Sequence, residues 1–251
     1  MKVVTWNVNG IRARHEQVRD LIDRERPDVL CLQELKATRE QVPDTISNHP
    51  GYWCYWHGAR AYSGVALHVS RERAGEAPRI THPAFDHETR IAEVELGDVV
   101  LASVYVPNGG KDFVAKMAFL DALCAYATGV HERGRRLVLC GDVNIAREER
   151  DVHPKERKPN AIGQRPDERA AFARLLAGGL IDVGRALDPD NDALFTWWAP
   201  WRNLRQRNIG WRLDYVLASD AVARSASSCV SLREFGTSDH APVVTTFDAA
   251  W

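Results

Sequence analysis

The chain has 251 residues, 45% hydrophobic and 27% charged, with a formal net charge of -1 from 33 basic and 34 acidic side chains. That is enough chain to bury a sizeable core, as one large domain or two small ones. The near-neutral balance excludes a polyanion held by overall charge, so any such attraction must come from a local patch.

The opening MKVVTWNVNG reads as a strand from its second residue, with no signal-peptide hydrophobic region ahead of a small-residue cleavage site. Val3 to Trp6 lead into two amides, Asn7 and Asn9. Val18, Leu21 and Ile22 line one helical face until Pro27 ends the segment. Val29 to Leu32 form a second strand that runs into Glu34, and Val65 to Val69 a third. Val99 to Val106 carry Tyr105 and stop at Asn108. Phe113, Met117, Leu120 and Cys124 mark the apolar face of a second helix. Leu137 to Cys140 lead straight into Gly141, Asp142, Val143 and Asn144. Pro166 opens a third helix with Asp167 and Glu168 in its first turn; Phe172, Leu175 and Leu176 form its apolar face and Gly178-Gly179 stops it. Tyr215 to Leu217 and Val243 to Phe247 are the last strands, entered from Asp214 and from the pair Asp239 and His240.

No apolar stretch approaches the length of a membrane span, and no low-complexity segment interrupts the chain, so a single domain over residues 1–251 is expected. Five cysteines (Cys31, Cys54, Cys124, Cys140, Cys229) are odd in number and lack CxxC spacing. Cys31 and Cys140 sit in apolar runs and read as buried free thiols, which suits a reducing cytoplasm. Strands that are apolar at nearly every position want cover on both faces, and helices separate some strands but not others. This predicts an α/β fold of mixed sheets packed together with helices outside. VVTWNVNG and LVLCGDVNIA share a short echo, an apolar strand followed by a polar residue, Val and Asn.

Polar groups at the mouth of buried strands are costly unless paired, bound to a metal or facing a ligand. Singly, a Glu after a strand is a solvated end and an Asn near Gly a turn former. Together, Asn7, Glu34, Tyr105, Asn108, Asp142, Asn144, Asp214, Asp239 and His240 make an oxygen-rich set at strand ends, where sites are assembled. Hard oxygen donors suit Mg2+, with Mn2+ a possible substitute. His240 beside acids can be held protonated, a cation for a phosphate oxygen. Neither a G-x-x-x-x-G-K-[ST] phosphate loop nor a G-x-S-x-G serine elbow is present. The stretch FTWWAPWRNLRQRNIGWRLDY interleaves Trp197, Trp198, Trp201 and Trp211 with Arg202, Arg205, Arg207 and Arg212. It has no regular period and is broken by Pro200 and Gly210, so it reads as a loop. Core tryptophans beside solvated arginines are the plain alternative, but the mixture suits phosphate contact and base or sugar stacking.

TWNVNGIR, LCLQELK, YSGVAL, SVYVPNGG, GDVNIA, WRLDYVL and SDHAPV, in that order, resemble the exonuclease III branch of apurinic/apyrimidinic endonucleases, within the endonuclease/exonuclease/phosphatase superfamily. The resemblance covers Lys2 to Phe247 and implies a four-layer sandwich of two mixed sheets flanked by helices, with the site at one edge. It implies Glu34 as principal metal ligand, aided by Asn7 and Asp239. Asp142 would deprotonate or orient the attacking water, with Asn144 helping to place it. Asp214 would pair with His240, which holds the phosphate. Tyr105 would contact the phosphate or the leaving oxygen, supported by Asn108. Trp197, Trp211 and Leu213 would wall a pocket for an extrahelical abasic sugar, and Arg12 and Lys36 would contact phosphates. Arg205 and Arg207 are further DNA candidates, and Trp201 or Leu204 could wedge the duplex. Glu88 and Arg90 match a family E-x-R pattern with no assigned role. Some relatives have an acid at the position of Asn9, so a second metal-binding carboxylate is missing here. The implied activity is Mg2+-dependent cleavage 5′ of abasic sites in double-stranded DNA, with some trimming of blocked 3′ ends, by a cytoplasmic monomer that binds no membrane. Two other readings remain at this stage: a phosphoesterase of the same fold acting on lipid or inositol headgroups, and a catalytically silent DNA-binding module.

Overall fold

The computed structural model describes residues 1–248 and contains two six-stranded sheets. In the first, the order is β11 (Ala226–Ser231), β12 (Val243–Phe247), β1 (Lys2–Asn7), β2 (Val29–Gln33), β4 (Tyr62–Ser70) and β3 (Tyr52–Ala59). In the second it is β5 (Ile80–Thr81), β6 (Ile91–Leu96), β7 (Val99–Tyr105), β8 (Arg136–Asp142), β10 (Asp214–Ser219) and β9 (Leu180–Asp182). The pairs β1–β2 and β7–β8 run parallel, and their neighbours antiparallel, so both sheets are mixed. The helices are α1 (His15–Glu25), α2 (Asp44–Ser47), α3 (Arg71–Ala74), α4 (Phe113–Glu132), α5 (Pro166–Ala177), α6 (Val183–Leu187) and α7 (Asp220–Ala223).

Side chains alternate between faces along a strand, and here both faces are covered. Val3, Val29, Cys31, Leu101, Val138, Cys140 and Val216 meet in a core between the sheets. Val4, Trp6, Leu30 and Leu32 face out and pack with Val18, Leu21 and Ile22 of α1. On the far side Ala102, Val104, Leu137, Leu139 and Tyr215 pack with residues of α4 and α5. The order of layers is therefore helix, sheet, sheet, helix, as expected. Cys31 and Cys140 are buried free thiols.

Five strands were not expected from the sequence: β5 and β9, of two and three residues, and β3, β6 and β11. β3 and β11 border the first sheet and most of their residues are only half buried; β11 reads ASSCVS with no apolar run, whereas β3 opens on the run YWCYW, a strand signal that sequence reasoning missed. β6 reads IAEVEL, with two acids breaking it. α4 also differs from expectation in two ways. Its buried face is Lys116, Phe119, Leu120, Leu123, Ala127 and Val130, while Met117 and Cys124 lie at the margin. It is also long and apolar enough to cross a bilayer by length and composition, contrary to the expectation that no stretch is. Its apolar side chains are instead used against the second sheet.

Candidate active site

The side-chain period of two places Asn7, Tyr105, Asp142 and Asp214 on the faces of their strands that look toward the opposite sheet. Register then aligns them: Asp142 pairs with Tyr105 across β7–β8 and with Asp214 across β10–β8. Asn7 closes the seam from the other sheet, its Nδ2 donating to Asp142 Oδ2 at 2.8 Å. β8 can run this close to β7 because residue 141 is glycine: a Cβ there would stand 1.9 Å from the Val104 carbonyl oxygen. Beyond the strand ends the backbone is strained. Asn9, Glu34, Lys36 and Asn144 all have positive φ, at 44°, 56°, 52° and 55°. Such residues persist only where their surroundings over-determine them, and they cluster at functional sites.

Buried Asp142 accepts from three donors: Asn7 Nδ2, the Asn144 backbone N–H at 2.8 Å and Asn144 Nδ2 at 3.1 Å. Asn144 is held in turn by Val106 O, at 2.9 Å, and by Asn108 Nδ2, which donates to its Oδ1 at 3.2 Å. The amides of Asn108 and Asn144 are thus spent on one another and on Asp142. They hold the Asp142 carboxylate in place. Burial, reinforced by the Asp214 charge, raises the Asp142 pKa well above the usual carboxylate range; His240 and the hydrogen bonds oppose this. His240 Nδ1 lies 2.9 Å from Asp214 Oδ2, and its Nε2 lies 3.8 Å from Asp142 Oδ2. Burial alone would push the imidazole pKa down, but Asp214 and Asp142 together drive it above its ordinary value. Asp214 is fixed by Thr196, whose hydroxyl donates to Oδ2 at 2.6 Å while accepting from the Leu213 and Asp214 N–H groups. Its Oδ1 is buried without a partner. Burial next to Glu34 and Asp142 pushes the Tyr105 phenol up, so it remains a hydrogen-bond donor.

Glu34 and Asp239 stand apart from this line. Lys36 Nζ reaches Glu34 Oε1 and Asn9 Oδ1, each at 2.7 Å. Asp239 accepts from Asn9 Nδ2 at 2.8 Å and from Trp197 Nε1 at 2.9 Å. Burial raises its pKa, but His240, Asn9 and Trp197 outweigh burial and keep it below its ordinary value. Asn9 therefore links Glu34's neighbour Lys36 to Asp239 as a neutral bridge. Asp142, Asp214 and His240 each offer an atom within 4.8 Å of the others, a spacing that a cation could bridge. A protonated imidazole has no lone pair to give, however, so the oxygens of Glu34, Asp239 and Asn7 are the better donor set for a divalent ion.

These groups line a cavity of about 420 Å³ whose other wall is Ile162, Gly163, Trp197, Trp211 and Leu213. The two indoles meet edge to face at 5.5 Å. Asn7 is buried and is not part of the cavity lining. Arg12, Trp201 and Arg207 are exposed, as contact with a large ligand requires. The segment carrying the tryptophans is a loop, as expected, but three of its members, Arg205, Leu204 and Arg212, are not free. Arg205 donates to three backbone oxygens, of Arg233 at 2.6 Å, Ser238 at 2.6 Å and Phe235 at 2.8 Å, and lies over Trp198. It fastens the loop to the chain before His240, so its expected place at DNA is corrected. Leu204 is 5% exposed and packs with Phe195, Trp198 and Ile209, which leaves Trp201, 59% exposed, as the residue able to wedge a duplex. Arg212 is likewise buried, bonded to Asp151 and Asp182.

Sequence reasoning missed Thr196, Ile162, Gly163 and the buried pair Lys116–Glu168. Lys116 alone left a trace, a cation three, four and seven residues before Phe119, Leu120 and Leu123 on one helical face.

The sequence pattern of the Endonuclease/Exonuclease/phosphatase family matches residues 4–240. The chain is 36% identical over 252 residues to the DNA repair nuclease APEX1 of Danio rerio, covering 97% of this chain and 81% of that protein. It is 33% identical over 249 residues to the exodeoxyribonuclease of Bacillus subtilis, covering 97% and 98%. The solved structure of an AP endonuclease from Archaeoglobus fulgidus superposes with a TM-score of 0.89 at 27% identity, covering 99% of this chain and all of that one.

Proposed function

Because this chain belongs to the Endonuclease/Exonuclease/phosphatase family, we propose that it is a DNA-repair phosphodiesterase that cuts 5′ of abasic sites in duplex DNA and trims 3′ ends. The observation that carries the reading is the cavity itself. Acids and an imidazolium from both sheets open beside an apolar Trp197–Trp211 wall. An abasic nucleotide has no base to unstack or unpair, so swinging it into such a pocket costs little, and apolar walls exclude intact nucleotides.

Asp142 takes the proton of the attacking water: it is held by three donors, and its raised pKa poises it near neutrality. His240, kept charged by Asp214, stands beside Asp142 and offers Nε2 to a phosphate oxygen. Tyr105 donates its phenol proton toward the same phosphate or the leaving oxygen. Glu34, Asp239 and Asn7 would hold a divalent ion, and Mg2+ is proposed because every donor is a hard oxygen. Bound there, it would supply Lewis acidity toward the phosphate and charge relief for the departing alkoxide. No nucleophilic Ser or Cys lines the cavity, so water attacks directly. Arg12, Lys36 and Arg207 are proposed to contact phosphates, and Trp201 to enter the stack.

One assay tests this reading. An end-labelled duplex with a single abasic analogue is incubated with Mg2+, beside an intact duplex and a 3′-phosphate duplex. Cutting confined to the 5′ side of the lesion is expected, with slower release of the 3′ phosphate. An intact lesion strand under every divalent ion would overturn it. Retention of that duplex without cutting would leave a binding module, and hydrolysis of an inositol phosphate instead would identify a lipid or inositol phosphoesterase.

A further inference from the structure

Lys116 and Glu168 form an ion pair at 2.5 Å with neither side chain exposed to solvent. The remaining ammonium protons go to two backbone oxygens, of Asn144 at 2.8 Å and Asn108 at 3.1 Å. The other carboxylate oxygen of Glu168 accepts the N–H groups of Gly163, at 2.7 Å, and Arg165, at 3.0 Å. The loop after β7 and both ends of the long connection between β8 and α5 are therefore fastened to one pair of charges. Asn108, Asn144 and Gly163 each line the cavity, whereas Lys116 and Glu168 do not reach it.

Stability does not explain such a pair. Burial holds the Lys116 pKa below the ordinary ammonium range even with Glu168 opposing it. Replacing both members of a buried pair with apolar residues is often neutral or stabilising, because desolvation offsets the attraction. What apolar side chains could not supply is direction: four hydrogen bonds that set the Asn108, Asn144 and Gly163 backbones relative to one another. Asn144 then sets Asp142 through its N–H and its amide.

We propose that Lys116 and Glu168 are positioning residues that set the water-activating carboxylate and the sugar-pocket wall in register from behind, without touching substrate. The proposal rests on the phosphodiesterase reading of the site. It is tested with the full chain carrying K116M and E168L together, which removes both charges at similar volume, and separately with E168Q. The double variant is expected to stay folded by circular dichroism. Its kcat on the abasic duplex falls about a hundredfold, the scale of a small misplacement of a reacting group, while KM stays within about threefold because the DNA-facing side chains are intact. The Gly163 and Arg165 amides are expected to exchange roughly tenfold faster by hydrogen–deuterium exchange. A folded double variant with wild-type kcat and unchanged exchange overturns the proposal. Should the double variant fail to fold, E168Q decides on the same readouts. Wild-type protein that cuts nothing would count against the phosphodiesterase reading alone, since the amide exchange still tests the pair.

Discussion

At Asp142 two opposing influences meet: burial that favours the neutral acid, and three donors that favour the carboxylate. Asp142→Asn keeps the shape but cannot accept a proton, so turnover should fall by about 10²–10⁴-fold. Binding of abasic duplex, read by anisotropy, should hold. Near wild-type turnover in that variant would exclude Asp142 as the base. At Gly163 the constraint is space. Its φ is +86°, and a Cβ would stand 3.2 Å from both the Asn144 carbonyl oxygen and the Trp211 ring. Gly163→Val is therefore expected to narrow the pocket, depressing cleavage at abasic sites more than release of a 3′ phosphate, which need not seat a sugar against the indole wall. Equal losses on the two substrates would show that the pocket is not where the lesion goes. Asp142 was legible in the sequence because a carboxylate after LVLC has few inexpensive explanations. Gly163 was not, because glycine in a loop has many.

Among elements, the 193–213 loop shows how similar residues part company once folded. Arg207→Ala should leave the melting temperature unchanged and reduce the salt slope of DNA binding by about one, as for a lost phosphate contact. Arg205→Ala should instead cost about 1–2 kcal/mol of stability, since three partly buried backbone oxygens lose their donor. Thermal melts and salt titrations of the two variants separate these outcomes, and a reversed pattern would return Arg205 to the DNA face. Composition announced the loop but could not sort its arginines, because pinned and free side chains look alike until the chain before His240 is in place. The long strands were legible from apolar runs. β6 and β11 were hidden because an acid-broken strand and a bordering strand of small polar residues carry no such run, whereas the YWCYW of β3 was legible and was missed. β4 carries a different liability. Its His68 is fully buried, with Nε2 at 2.8 Å from Ile46 O and Nδ1 without a partner. Burial lowers its pKa from 6.5 to about 4. The depressed folded value means that its contribution is complete above pH 6.5 and is lost as pH falls toward 4. By about pH 5 the loss is roughly 2 kcal/mol. Urea unfolding at pH 7 and pH 5 should show that loss in the wild type and its absence in His68→Gln. An equal acid loss in both would place the sensitivity elsewhere.

For the molecule as a whole, the site belongs to neither sheet. Asn7, Glu34, Asp239 and His240 come from strands or strand ends of the first sheet, and Tyr105, Asp142 and Asp214 from the second. The seam is kept in register by a buried chain in which Gln33 Nε2 donates to Thr5 Oγ1 and Ser103 Oγ, each at 3.0 Å. Such a polar thread inside an apolar core specifies one alignment of the sheets. Its sequence trace was only a few polar letters inside apolar strands, whereas the residues it aligns stood out at the strand ends. The same geometry limits how DNA is held. With a net charge of -1, no general field attracts a polyanion, so binding falls to a few individual cations, of which Arg12, Lys36, Lys111 and Arg207 are the candidates. About four phosphate contacts imply a slope of log K against log salt of roughly -3 to -4, or about a hundredfold weaker binding from ~50 to ~200 mM salt. Specificity must then come from the pocket and Trp201, both insensitive to salt. The ratio of affinities for abasic and intact duplex should therefore stay nearly constant across that range while both fall. A ratio that collapses as salt rises would mean that recognition is carried by charge, and that the indole walls only fill space.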